Sequence, residues 1–129
     1  MANRWKDWLR QAERDLEQAE ASRGEGRHEW ACFAAHQAAE KAIKAVHLYS
    51  GQEAWGHVVA KLISELPATL QVPDGLEERA RVLDNFYVPA RYPNGHPEGS
   101  PFEHYGPLQS GQALDHARAI IEFARSQVA

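Results

Sequence analysis

Phe33-Ala-Ala-His-Gln-Ala-Ala-Glu-Lys-Ala-Ile-Lys44 is the stretch on which the fold turns. It lies inside a segment from about Arg27 to Tyr49 where Trp30, Phe33, Ala34, Ala38, Ala42, Ala45, Val46 and Leu48 recur at helical spacing and form a broad apolar face. Alanine at so many of these positions lets neighbouring helices approach closely. A later segment, Arg91-Tyr-Pro-Asn-Gly-His96, carries the chemistry. It joins a permanent cation to the one side chain that exchanges protons near neutral pH, a combination suited to phosphate.

Upstream of the central helix, Trp5, Trp8, Leu9, Ala12, Leu16 and Ala19 mark an amphipathic helix from Asn3 to about Arg23, closed by Gly24 and Gly26. Downstream, a break at Ser50-Gly51 and Trp55-Gly56-His57 precedes a shorter helix that Pro67 stops after Leu66. A linker with Pro67, Pro73 and Gly75 leads to a fourth helix, whose Leu76, Ala80, Leu83 and Tyr87 share a face and whose acidic start suits a helix N-terminus. Five of the seven prolines then fall between Pro89 and Ser110, a composition that predicts an irregular loop pinned by Tyr92, Phe102 and Tyr105. The last helix is predicted from about Gln112 to Val128, with Leu114, Ala117, Ile121, Ala124 and Val128 on one face. No strand pattern competes. The expected fold is all-α, an antiparallel up-and-down bundle of about five helices with a long Pro/Gly-rich loop before the last one.

At 129 residues the chain fits one domain, 1–129, large enough to bury a core without disulfides or metal staples. An apolar fraction of 43% with 25% charged residues is ordinary for a globular protein and argues against disorder. No stretch is apolar enough to span a bilayer. Nine charged residues among the first twenty are incompatible with a signal-peptide core, so a cytoplasmic location is expected. The single cysteine, Cys32, cannot form an internal disulfide and reads as core filler. Net charge is −4 with the seven histidines neutral, so there is no standing basic field, and any RNA contact must be local or completed by a second subunit.

With its helices placed, the chain resembles the HEPN family, small helical-bundle proteins found beside minimal nucleotidyltransferases. The resemblance spans nearly the whole length. It rests on Trp8 through Leu16 with Ala19, on Trp30 through Lys44, on His57 followed by Leu62 and Leu66, and on Leu83 through Tyr87 leading into Ala90-Arg-Tyr-Pro93. It implies a homodimer with a helical interface, a nucleotidyltransferase partner in a toxin–antitoxin pair, and in several branches a metal-independent ribonuclease needing no cofactor. Those nucleases carry an arginine and a histidine separated by four to six residues, a spacing that Arg91 and His96 meet. In those branches the motif opens a helix, whereas Pro93, Gly95 and Pro97 predict a loop here.

The candidate catalytic pair is therefore Arg91, to stabilise charge on phosphate oxygens, and His96, as general base or acid. The candidate nucleotide- or RNA-binding residues are Gln37, Lys41 and Lys44, which form a polar strip on the central helix, with Tyr92 and Tyr105 as stacking platforms. His57, Asp84 and Asn85 are candidates to orient a catalytic group. Plainer roles compete: Arg91 bonding loop carbonyls, the strip making local ion pairs, the tyrosines packing, and His57, Asp84 and Asn85 capping or packing. His96, Glu98, Glu103 and His104 offer donors in one loop, but their spacing matches no compact zinc pattern. The alternative to a ribonuclease is a noncatalytic nucleotide-binding or scaffold subunit serving a partner nucleotidyltransferase.

Overall fold

The computed structural model describes residues 3–128. Five helices make the fold: α1 (Trp5–Gly24), α2 (His28–Tyr49), α3 (Val59–Ser64), α4 (Leu76–Asp84) and α5 (Pro107–Gln127). No strand occurs among the described residues, so the all-α bundle expected from the sequence is the fold observed. None of these helices is long and apolar enough to cross a membrane.

Helix α2 is the central element, packed against every other helix. Its alanines explain this position. Ala31, Ala35, Ala38, Ala39, Ala42 and Ala45 are all fully buried, and their small side chains leave room for α1 on one side and α5 on another. Ile43, Leu62, Leu83, Ile120 and Ile121 supply the bulk of the core. Only three residues separate α1 from α2, which forces the chain to reverse. Gly26 (φ +78°) takes the left-handed conformation this reversal needs, and the Arg27 amide donates back to the Ser22 carbonyl at 2.8 Å, satisfying an orphan acceptor.

The fourth helix ends at Asp84, so Tyr87, expected within it, lies in the turns that follow. Two further expectations need correction. The last helix begins at Pro107, five residues earlier than Gln112. Proline is compatible with the first helical position, where its missing N–H had no partner to lose, and the Gln109 side chain accepts the Gly106 amide at 2.7 Å. The preceding segment also holds two 3-10 turns, Pro93–Gly95 and Pro101–His104, so its prolines start short helical turns there as well.

The last correction concerns what pins this segment. Tyr92 and Phe102 are exposed, and of the three aromatic residues only Tyr105 packs inward, edge-on against Phe86 at 5.8 Å. Histidines do the fastening. His96 Nε2 donates to the Pro89 carbonyl at 2.6 Å and His104 Nε2 to the Glu98 carbonyl at 2.6 Å, with the two rings stacked 4.0 Å apart. Carbonyls that lack helical partners are satisfied this way.

Candidate functional site

The site grows from buried polar groups on α2. His36 is fully buried, and its Nε2 donates to the His57 carbonyl (2.9 Å) and to Asp84 Oδ1 (3.2 Å), while its Nδ1 accepts from the Gln37 amide at 3.3 Å. Asp84, at the end of α4, also accepts the Val59 and Ala60 backbone amides at 2.7 and 3.0 Å. It thus caps α3 from a different helix. Burial pushes the Asp84 carboxyl up, but the His36 hydrogen bond and the two backbone amides outweigh it and hold the group below the usual carboxylate range.

One turn along α2, Glu40 is buried and takes two cations or donors at once. Its Oε1 accepts from His57 Nδ1 at 3.0 Å and its Oε2 from Lys44 at 3.1 Å. The His57 side chain itself is 55% exposed, so Glu40 orients a largely exposed imidazole whose Nε2 has no hydrogen-bond partner among the described residues. The His57 ring stacks on Tyr87 (4.9 Å, 17° between planes). Tyr87 in turn carries Arg91.

The Arg91 guanidinium lies among three rings, its Cζ 4.4 Å from the centre of Phe33, 4.7 Å from Tyr87 and 5.1 Å from Tyr92. Its Nε donates to the Tyr87 carbonyl at 2.8 Å. Among the described residues no other hydrogen bond or ion pair takes its terminal nitrogens, and no buried side-chain nitrogen or oxygen lacks a partner. The terminal nitrogens are therefore open to solvent. Three aromatic rings surround the cation and attract it, while its terminal nitrogens stay free for a planar acceptor.

The remaining sequence candidates divide. Gln37 and Lys41 line a groove of about 520 Å³ between α1 and α2 together with Trp30 and Phe33, so they approach Arg91 through the Phe33 ring. Lys41 is paired there with Asp15. Lys44 turns instead toward Trp8, 5.7 Å from its ring, and borders a separate depression with Trp55. Tyr92 is exposed beside Arg91, whereas Tyr105 is half-buried against Phe86 and His96. Arg91 and His96 share no hydrogen-bond partner: the first faces Phe33, Tyr87 and Tyr92, the second Pro89, His104 and Tyr105. Among the described residues no three His, Cys, Asp or Glu side chains gather as a metal site.

Capping is one of several roles the sequence leaves open for Asp84, and the link from Glu40 through His57 and Tyr87 to Arg91 is not among the readings it offers. Two signals were available: His36 and Glu40 stand four apart on one helix face, and Tyr87 stands four before Arg91.

Comparison with known proteins fits this architecture. The HEPN domain model matches residues 5–127. A crystal structure of TT1696 from Thermus thermophilus is similar at 47% identity, covering 98% of this chain and 100% of that one, with a TM-score of 0.96. ST0689, an archaeal HEPN homologue, shares 34% identity over the full length of both chains (TM-score 0.83). A HEPN domain protein from Thermotoga maritima, tm0613, shares 33% over 93% of this chain and 95% of that one (TM-score 0.76). No protein of curated function matches. With a domain match that runs from the first helix to the last and three solved structures of the same shape, the chain belongs to the HEPN family.

Proposed function

We propose that this HEPN protein binds a phosphate of RNA or of a nucleotide at Arg91, as the toxin-like half of a pair with a small nucleotidyltransferase, and works as a cytoplasmic homodimer. The observation that carries the reading is the Arg91 guanidinium, clamped by Phe33, Tyr87 and Tyr92 with its terminal nitrogens open. A cation held in one orientation loses little freedom on binding, and its planar fork matches two phosphate oxygens. Exposed Tyr92 beside it offers a face for a base. With a net charge of −4, the protein has no general field for nucleic acid, so affinity rests on such a local cation.

A second reading, metal-independent cleavage, is favoured by the tautomer of His96. Because Nε2 donates to the Pro89 carbonyl, Nδ1 is the basic nitrogen, and it is open to solvent. As general base it would take the proton of a 2′-hydroxyl, whose oxygen bonds to the adjacent phosphorus while the 5′-oxygen leaves with a proton from a second acid. The other protomer of a homodimer supplies that acid.

One experiment tests both. RNA is incubated with wild type, Arg91→Ala and His96→Ala proteins in the presence of a chelator, with binding and cleavage read separately. Wild type should bind, and Arg91→Ala should bind at least about ten-fold more weakly, the cost of a charge-assisted contact. Equal binding by the two rejects the Arg91 site. Intact RNA with wild type rejects the nuclease reading, and undiminished cleavage by His96→Ala rejects the role of that imidazole.

A further inference from the structure

Three groups around the Tyr87 ring each keep a polar end with no protein partner among the described residues. The His57 imidazole stacks on it with a 4.9 Å centroid separation, and the Arg91 Cζ lies 4.7 Å from its centre, so cation and imidazole centre are within about 10 Å of each other. The Tyr87 hydroxyl joins no hydrogen bond among the described residues, yet no buried side-chain oxygen is left unpartnered, which places that hydroxyl in reach of solvent. Glu40 accepts a hydrogen bond from His57 Nδ1–H, so the ring meets an anion as the imidazolium, whose second N–H, on Nε2, has no protein partner among the described residues. Donors that reach oxygens on different sides of one phosphate stand several ångströms apart, a separation that lies within the outer limit set by the two ring distances.

This imidazole is also unusually well held for an exposed side chain. Its own carbonyl is gripped by buried His36, its Nδ1 by buried Glu40, and its face by Tyr87. Glu40 is fixed in its turn by Lys44. A histidine needed only for packing would not require an oriented, outward nitrogen, whereas a ligand-binding one gains from having its rotamer set beforehand.

We propose that the phosphate site of this protein is a composite in which His57 Nε2 and the Tyr87 hydroxyl join Arg91 in holding a phosphodiester, with Glu40 as the positioning residue. The assignment rests on the Arg91 reading above and gives it its second imidazole, one that no spacing motif contains.

The test uses the full-length protein and a fluorescent 2′-O-methyl oligoribonucleotide, which cannot be cleaved, so binding is read without turnover. Arg91→Ala and His57→Gln should each weaken binding ten-fold or more, Tyr87→Phe by a smaller factor, and Lys61→Gln, which removes an exposed charge from neighbouring α3, by less than two-fold. Because His57→Gln could disturb folding, its melting temperature is compared with wild type, and the wild-type His57 Nε2 nitrogen-15 resonance is followed as oligonucleotide is added. A shift that saturates with the binding curve supports direct contact. If Arg91→Ala weakens binding while His57→Gln does not and the resonance stays still, the composite site is wrong and the Arg91 reading survives. If neither substitution matters, or wild type does not bind, both fall.

Discussion

Replacing Asp84 by alanine tests how the site is built, because this one carboxylate ties three elements together. Helix α3 has six residues, too few to be stable alone, and its first amides at Val59 and Ala60 donate to Asp84 from α4. The same carboxylate accepts from His36 on α2, and its side chain is only 17% exposed. A lost helix cap costs about 0.5–2 kcal/mol and a lost bond to a charged group about 1.5–3 kcal/mol; the three bonds act as a unit, so roughly 3 kcal/mol is expected in total. For a domain of this size each kcal/mol lowers the melting temperature by about 4 °C, giving a fall of about 12 °C for Asp84→Ala at pH 7. The pH dependence has a definite sign. The folded carboxyl sits below its ordinary value, so its contribution is complete above the unfolded pKa of about 3.9 and disappears as pH falls through the lower folded one. The gap between wild type and Asp84→Ala should therefore narrow only in strong acid. Thermal melts by circular dichroism at a series of pH values give the answer, and a variant melting within about 2 °C of wild type at pH 7 would refute the reasoning.

One labelling experiment and one further substitution probe the same packing. Cys32 is fully buried, and burial, with a smaller contribution from Glu29, pushes its thiol up to about 12, so a thiol reagent at neutral pH should label it only after denaturation. Stoichiometric labelling of the native protein contradicts the packing. A methyl group at Gly95 would stand 2.8 Å from the Pro89 Cα, a backbone atom that cannot swing aside. Gly95→Ala should then cost about 1–3 kcal/mol and displace the turn that brings His96 to the Pro89 carbonyl; an unchanged melting temperature together with an unchanged His96 ring resonance would show that the turn yields freely.

Much of this molecule can be read along single elements. The alanine pattern of Phe33–Lys44 marks a helix others can approach closely, and Ala38, Ala42, Ala45 and Val46 of the expected face are fully buried; Trp30 of that face is exposed, and Ala35 and Ala39, outside it, are buried instead. Proline is harder to read, because its effect depends on position: at Pro107 it opens a helix, where interior placement would have broken one. The loop anchors mislead for a similar reason. Aromatic character suggests burial, but Tyr92 and Phe102 flank turns whose unpaired carbonyls need donors, and His96 and His104 supply them.

The site divides along the same line. Arg91 stands out by residue type, and its support by Tyr87 is a contact within one turn of chain. The pairing of Glu40 with His57 spans 17 positions and depends on how the segment before α3 settles on α2, which Asp84 enforces from α4. Periodicity describes one helix at a time and cannot express such a crossing. Leu83, fully buried, stands just before Asp84, and Tyr87 follows one turn later, so core packing fixes where the ring that carries Arg91 and His57 must lie. A spacing rule that looks only from Arg91 to His96 overlooks the imidazole that the core brings to the ring beside the arginine.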